Sequence, residues 1–150
     1  MGVTSQKANK DIFCNMNFYA SKNGIIQINP IITQKLLYSK SHGSGTTGQM
    51  WENHHYQFCK FVSNFKIKNA IEIGSGSGDF IRLYNQISKV KTLWHLFEPN
   101  PSKSLSQLIN TKFYKKFFLK KNLPNINFDG IIHSHVFEHI YQPQKFLKTI

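Results

Sequence analysis

Acidic residues, arginine and cysteine are all scarce in this 150-residue sequence. Seven Asp and Glu stand against 19 Lys and Arg, of which only Arg82 is arginine, so the formal net charge is +12 at pH 7. The two cysteines, Cys14 and Cys59, lie far apart and form no Cys-x-x-Cys pair. That separation argues against a zinc site and against a disulfide framework.

Long apolar runs are absent as well. No stretch approaches the roughly 18 consecutive apolar residues that a membrane-spanning helix needs, so we expect no membrane insertion. Residues 1–11 are polar and lack the apolar core of a signal peptide, so we expect a cytoplasmic protein. The length fits one main domain with a single core.

The excess of positive charge raises the alternative of a nucleic-acid partner. The lysines are dispersed, however, and the densest groups are the pairs at residues 115–116 and 120–121. Abundant Lys, Asn and Ile with a single arginine is typical of the composition that an AT-rich genome imposes. We therefore treat nucleic acid as the secondary interpretation.

Residues 70–80 are the stretch around which the other motifs are arranged. They read as a short apolar strand, a loop with glycine at every second position, and an acidic residue that opens an apolar-periodic helix. Gly74, Gly76 and Gly78 place no Cβ in the way, so a ligand can lie against bare backbone. The amides at the start of the helix then face that ligand.

The spacing of these glycines excludes two phosphate-binding loops. A P-loop needs Gly-x-x-x-x-Gly-Lys-Ser/Thr, and no lysine stands at that spacing. A dinucleotide loop needs Gly-x-Gly-x-x-Gly, whose third glycine place is occupied by Asp79 or Ile81. Carboxylates at Glu72 and Asp79 flank the loop, which favours a ligand with an amine or a positive charge.

A strand–helix rhythm runs through the main domain. Periodicity predicts a helix over residues 51–62 with a mostly buried aromatic face, from which His54 and His55 alternatively point toward the mouth of a site. Strands are predicted at residues 70–74, 92–97, 112–119 and 128–134, and helices at residues 79–88, 102–109 and 143–150. Such alternation implies a parallel sheet with ligands outside the carboxyl ends of its strands.

The residues before 51 have weaker secondary-structure patterns than the main domain. A hairpin is predicted with its turn at residues 21–24, followed by a helix over residues 30–37. The small-residue segment at residues 41–48 is either a plain linker or a mobile lid.

Glu98 ends the second predicted strand, 24 residues after Gly74. A carboxylate at that place can accept both ribose hydroxyls of a bound nucleoside, although it can also be a solvated charge at a strand end. The abrupt turn at Pro99 after an apolar strand favours the binding role.

A third motif follows the fourth predicted strand, where His133, His135 and His139 stand close to Glu138. Such a group raises the question of a metal site. The sequence offers no evident fourth ligand, so we expect no metal.

These motifs together resemble those of the class I S-adenosylmethionine-dependent methyltransferases. The pattern Glu-x-Gly-x-Gly-x-Gly at residues 72–78 resembles the first motif of that family, and Glu98 stands where the family has an acidic residue for the adenosine ribose. Residues 136–140 resemble a Val-Leu-Glu-His-Ile signature, with Phe137 in place of the usual leucine. The resemblance covers roughly residues 66–150 and is typical of the members that act on small molecules and sugars.

The resemblance implies an α/β, Rossmann-like, doubly wound and mostly parallel sheet. It assigns residues 1–50 to a small N-terminal extension or lid region, and residues 51–150 to the S-adenosylmethionine-binding domain. The cofactor is then S-adenosylmethionine, with S-adenosylhomocysteine as product. The cofactor-binding residues that it implies are Glu72, Gly74, Ser75, Gly76, Gly78, Glu98, Pro99, His133 and Ser134.

The implied activity is methyl transfer to a small-molecule or sugar-type acceptor, which we expect to be O-methylation in the modification of a bacterial capsule or surface glycan. A hydroxyl acceptor must lose a proton, and histidine suits that role at neutral pH. His135 and His139 are the catalytic candidates. His139 has a structural alternative, a hydrogen bond that fixes its loop.

A complete sheet in this family has seven strands, whereas the sequence stops after the helix that follows the fourth. We therefore expect an incomplete C-terminal half. Its consequence would be a catalytically inactive truncated product, or a homo-oligomer that covers the exposed sheet edge. A nucleic-acid-associated methyltransferase or binding protein remains the other alternative.

Overall fold

The structure is a computed structural model that describes residues 15–39 and 48–150. The chain divides into two compact units, one up to His42 and one from Gly43. Cys14 and residues 41–47 of the predicted linker or lid lie outside the described residues. None of the helices described combines the length and the apolar character that a bilayer crossing requires.

The first unit contains a β-hairpin and a single helical turn. Strands β1 (Phe18–Ala20) and β2 (Ile26–Ile28) pair antiparallel, which confirms the predicted hairpin. Helix α1 (Gln34–Leu37) begins later than residue 30, where the sequence predicted its start. Thr33 still has an extended backbone, with φ −63° and ψ 140°, so the helix begins only after it.

The second unit is built on a four-stranded parallel sheet. Its strands are β3 (Asn69–Ile73), β4 (Leu93–Phe97), β5 (Thr111–Tyr114) and β6 (Gly130–His133), in the spatial order β5–β4–β3–β6. The parallel pairing confirms the prediction and brings the carboxyl ends of all four strands to one edge of the sheet. Because β3 lies between β4 and β6, the loop after β3 lies near the middle of that edge.

Helices cover both faces of this sheet. Successive side chains of a strand point to opposite faces of the sheet, so the sheet has a separate core on each face. Helices α2 (Gln49–Ser63) and α3 (Asp79–Ile87) pack on one of these faces. The core on that face consists of Cys59, Val62, Ile67, Ala70, Phe80, Ile81, Tyr84, Trp94, Leu96, Leu105 and Ile132. On the other face, α4 (Pro143–Leu147) places Phe146 against Ile71, Ile73, Phe97 and Phe118. The α/β architecture is therefore confirmed.

The predicted helix over residues 102–109 is wrong in type, because Lys103–Gln107 form a 3-10 helix. Serine hydroxyls in this segment bind backbone carbonyls. Ser106 Oγ donates to the carbonyl of Lys103 at 2.8 Å, and Ser104 Oγ donates to the carbonyl of Ser77 at 3.1 Å. Such bonds compete with an α-helical hydrogen-bond ladder.

Strands β5 and β6 and helix α4 are each shorter than predicted by three or four residues. Strand β5 ends at Tyr114 because the backbone turns there, with the Lys116 amide donating to the Tyr114 carbonyl at 2.7 Å. Strand β6 begins only after Asp129, whose carboxylate accepts bonds from the Lys68 and Asn69 amides, each at 2.8 Å. Helix α4 ends three residues before the predicted end at residue 150.

Candidate functional site

The glycine loop, residues 74–78, connects β3 to α3. All three of its glycines have positive φ, 76° at Gly74, 51° at Gly76 and 84° at Gly78. A Cβ at Gly74 would lie 2.5 Å from Cγ2 of Val136, and one at Gly78 would lie 2.6 Å from Cδ2 of Leu105. A Cβ at Gly76 would meet nothing within 4 Å. Gly74 and Gly78 therefore permit close packing, whereas Gly76 offers open backbone to a ligand.

Glu98 joins the glycine loop to the end of β4. Its Oε2 accepts a hydrogen bond from the Gly76 amide at 3.3 Å, and its Oε1 accepts one from the Asn100 amide at 2.9 Å. The Glu98 side chain is half-buried, as is Pro99 beside it. The structure thus brings Glu98, predicted to bind a ribose, to the predicted glycine loop. Each carboxylate oxygen keeps a further lone pair for a ligand hydroxyl.

Glu72 lies in β3, directly before the glycine loop, and is only 6% exposed. Burial first, and then the nearby carboxylates of Glu98 and Asp79, raise the pKa of Glu72 to about 8. Its carboxyl group is therefore mostly protonated at pH 7. Among the described residues no group makes a hydrogen bond with its Oε2.

Ser75 is a second buried polar group at this loop. The residue is 6% exposed, and its Oγ finds no partner within the part of the chain that the structure describes. Leaving a buried polar group unpaired costs about 1–3 kcal/mol, so native proteins usually satisfy such groups with protein, water or a ligand. Two such groups at one glycine loop make this loop the candidate ligand site.

Arg82 in α3 is held by protein acceptors around the same loop. Its Nη1 donates to Asp79 Oδ1 at 2.7 Å, and its Nη2 donates to the carbonyls of Ser77 at 2.9 Å and Ser104 at 3.2 Å. Asp79 also accepts a hydrogen bond from the Ser77 hydroxyl. The single arginine of the sequence therefore fixes the loop against the segment after β4.

A group of four side chains, the histidine cluster of Trp51, His54, Ser134 and His135, joins α2 to the segment after β6. His54 Nε2 lies 3.4 Å from Ser134 Oγ. The ring centroid of His135 lies 4.4 Å from that of Trp51 and 5.3 Å from that of His54. One side of α2 therefore faces the carboxyl edge of the sheet.

Glu138 contacts His135 at the border of this cluster. Its Oε1 lies 3.5 Å from His135 Nδ1, and both side chains are about half exposed, at 52% and 50%. A carboxylate at Nδ1 favours the tautomer with the proton on that nitrogen, which leaves Nε2 as an acceptor. His135 has φ 54°, uncommon for a residue with a Cβ.

The other two histidines of this motif lie in different surroundings. His133 is half-buried in β6, with its ring centroid 6.3 Å from that of Phe137 and 5.8 Å from that of Phe146. His139 is exposed at the end of the single 3-10 turn Phe137–His139. Within the ranges 15–39 and 48–150, no group of three or more His, Cys, Asp or Glu side chains is arranged to hold a metal ion.

Sequence reasoning missed the contact of Trp51 with His135, because it expected a mostly buried aromatic face over residues 51–62, whereas Trp51 is half-buried and His54 is exposed. The signal was present, because Trp51 and His54 are three residues apart and share a helix face. It also missed Leu105 and Leu108, which lie 2.6 and 2.7 Å from the place of a Cβ at Gly78. No local sequence pattern predicts the close approach of these leucines to Gly78, because the two segments are distant in the chain.

A scan against protein-family models and a search of curated proteins found no match to this chain. The glycine loop and the histidine cluster are therefore the features that bear on function. Three carboxyl groups converge near an open glycine backbone, and two buried polar atoms there lack a partner among the described residues. This arrangement favours a ligand with hydroxyl groups and positive charge over a phosphate.

Proposed function

We propose that the glycine loop binds S-adenosylmethionine and that the protein transfers a methyl group to a small-molecule or sugar-type acceptor. The observation that carries the proposal is the buried carboxyl group of Glu72, which has an unpartnered oxygen and lies four residues before the open backbone of Gly76. O-methylation of a capsule or surface-glycan precursor is the reaction we propose.

The nucleoside part of this cofactor fits the surroundings of Glu98. A carboxylate that already accepts the Gly76 and Asn100 amides is fixed in place and still has lone pairs for two ribose hydroxyls. Pro99, next in the chain, would lie along the same nucleoside.

The charged part of the cofactor fits the carboxyl groups before and after the glycines. S-adenosylmethionine carries an ammonium and a sulfonium, and both interact favourably with carboxylates. A nearby cation lowers the pKa of a carboxyl group, so bound ligand would draw Glu72 toward its ionised form. A pyrophosphate would instead meet the three carboxyl groups of Glu72, Asp79 and Glu98, which disfavour an anion.

Bound at the loop, S-adenosylmethionine supplies an electrophilic methyl group, and S-adenosylhomocysteine is the product. The contribution of the chain is then to hold the acceptor oxygen in line and to exclude water from the site. The indole of Trp51, 4.4 Å from the His135 ring, adds an apolar surface to that end of the site.

The histidine cluster, which joins α2 to the segment after β6, is our candidate for the group that receives the proton of an acceptor hydroxyl. If the acceptor is a hydroxyl, its proton would pass to His135 Nε2, and the cofactor would leave as S-adenosylhomocysteine once its C–S bond is broken. Glu138 Oε1 lies 3.5 Å from Nδ1 and can hold the ring in place by accepting a hydrogen bond from the proton-bearing Nδ1. His139, exposed in the adjacent turn, is the second candidate for this role.

Titration calorimetry with S-adenosylhomocysteine and S-adenosylmethionine tests the proposal. We expect binding by the unmodified chain, and at least about tenfold weaker binding after Gly76→Val or Glu98→Ala. Gln57→Ala, at an exposed position of α2 outside both the loop and the cluster, is the matched control and should bind normally. Undiminished binding in both loop variants, or binding of ATP that is tighter than binding of S-adenosylhomocysteine, would contradict the assignment of the loop to this cofactor.

A further inference from the structure

A groove of about 590 Å³ runs between α2 and α3 and shares only Asp79 with the groups proposed above to hold the cofactor. Helix α2 lines it with Gln49, Asn53 and Tyr56, which follow one another at spacings of four and three residues. Helix α3 lines it with Leu83 and Gln86. These spacings place each set on one face of its helix.

The groove reaches the glycine loop. Asp79, which lines the groove, directly follows Gly78 and accepts a hydrogen bond from the Ser77 hydroxyl. His55 also lines it and neighbours His54 of the histidine cluster, with 5.7 Å between their ring centroids. A ligand in the groove would therefore lie beside both parts of the proposed site.

The charge of the groove is opposite to that of the whole chain. None of the lysines that the structure describes lines it, although the sequence carries a net charge of +12. Its one arginine, Arg82, already donates to Asp79 and to two backbone carbonyls. Burial and the neighbouring His54 lower the pKa of His55, which keeps that ring neutral at pH 7. Glu52 adds a further carboxylate, so an anionic ligand is disfavoured.

The remaining lining groups suit hydroxyls. The side-chain amides of Gln49, Asn53 and Gln86 each offer donors and an acceptor, and the carboxylate of Glu52 accepts. Tyr56 and Leu83 add an aromatic ring and an apolar surface that can cover the C–H face of a sugar ring.

We propose that this groove binds a neutral polyhydroxylated ligand, a sugar or glycosyl unit. That this ligand is the methyl acceptor rests on the function proposed above. Sugar binding itself does not, because it is argued from the groove alone.

Side-chain amide signals in ¹H–¹⁵N spectra of the full chain provide the test. Methyl α-D-glucopyranoside and N-acetylglucosamine are titrated to millimolar concentrations, with inorganic phosphate as a third probe. We expect a saturable shift of the Asn53 and Gln86 amide signals with at least one sugar and none with phosphate. Tyr56→Ala should weaken that binding about fivefold through the loss of one aromatic contact, Gln86→Ala should also weaken it, and Gln57→Ala should not.

Three results overturn the inference: no saturable shift with either sugar, a larger shift with phosphate, or shifts of these same amides by S-adenosylhomocysteine, which would assign the groove to the cofactor. Failure of the groove proposal can be distinguished from failure of the proposed function. Sugar binding without any binding of S-adenosylhomocysteine supports the groove and contradicts the proposed function. S-adenosylhomocysteine binding at the loop with no sugar binding contradicts the groove alone.

Discussion

At the scale of single residues, Glu72 most constrains what the glycine loop can bind. Its pKa is raised from 4.5 to about 8 by burial and by two neighbouring carboxylates. A ligand that carries positive charge relieves this unfavourable environment, whereas a phosphate makes it worse. Binding of a cation at the loop should therefore release a proton near neutral pH.

The raised pKa of Glu72 also makes stability depend on pH. Between 4.5 and about 8 the folded state holds a proton that the unfolded state has lost, so the free energy of unfolding falls as pH rises through this range. Glu72→Gln removes that dependence. From about pH 5 to about pH 8.5 we expect the unmodified chain to lose about 2–4 kcal/mol more stability than the variant. Urea unfolding at the two pH values measures it, and parallel pH profiles for the two chains would contradict it.

Substitutions at two glycines of the loop should have different effects, one mainly on the free energy of unfolding and the other on ligand affinity. Any side chain at positive φ costs about 1–2 kcal/mol, and at Gly74 a Cβ also lies 2.5 Å from Val136, which adds about 1–3 kcal/mol. Gly74→Ala should therefore destabilise the chain clearly more than Gly76→Ala. Gly76→Ala should lower the affinity for S-adenosylhomocysteine, because its Cβ enters open space at the site. Equal stability of the two variants, or normal binding by Gly76→Ala, would contradict this.

At the scale of elements, α2 contributes to three surfaces at once. Cys59 and Val62 lie in the core, His54 faces the segment after β6, and Asn53 and Tyr56 line the groove. The first half of the helix therefore contributes to the candidate site and to the groove, and the second half holds the helix against the sheet.

The reactivity of Cys59 tests whether α2 packs against the sheet. Its side chain is 0% exposed, its thiol donates to the Phe80 carbonyl at 3.5 Å, and burial, followed by the charge of Glu72, raises the pKa of the thiol to about 12. Since the thiolate is the reactive form, alkylation of Cys59 should be far slower in the folded protein than in denaturant. Peptide mass spectrometry after iodoacetamide treatment measures it, with the Cys14 peptide read separately. Comparable rates in native and denaturing buffer would show that α2 does not pack as described.

At the scale of the whole molecule, both core clusters lie in the unit that begins at Gly43. Because burial of apolar surface is the main favourable term in folding, this unit holds most of the stabilising contacts. We expect residues 43–150, expressed alone, to unfold in one cooperative transition and to bind S-adenosylhomocysteine as the full chain does. A non-cooperative melt would contradict the first expectation, and weaker binding would contradict the second.

The charge of the molecule separates the proposed function from its nucleic-acid alternative. A chain of net charge +12 should be retained on duplex DNA at low salt by dispersed lysines, and that affinity should fall steeply as salt rises. Affinity for S-adenosylhomocysteine, whose own charges balance, should change little over the same range. Filter binding and calorimetry at matched salt concentrations measure the two. Sequence-selective nucleic-acid binding that survives high salt would favour the alternative.

The order of strands and helices could be predicted because hydrophobic periodicity and turn residues are local signals. The parallel sheet and the β3–loop–α3 unit follow from them. Strand ends could not be placed as well, since β6 begins where Asp129 binds the amides of Lys68 and Asn69, about sixty residues earlier in the chain. The 3-10 geometry of Lys103–Gln107 likewise depends in part on Ser77, which is distant in sequence.

The sequence by itself determined the glycine spacing, the carboxyl groups around it and the helix that follows, because backbone freedom and residue chemistry are local properties. Tertiary structure alone decided that Gly76 is open while Gly74 and Gly78 are packed, and that Glu72 is buried without a partner for one oxygen. It also decided that His54 meets Ser134, 80 residues away. The physical reason is the same in each case: burial, pKa and contact depend on which distant segments the fold brings together.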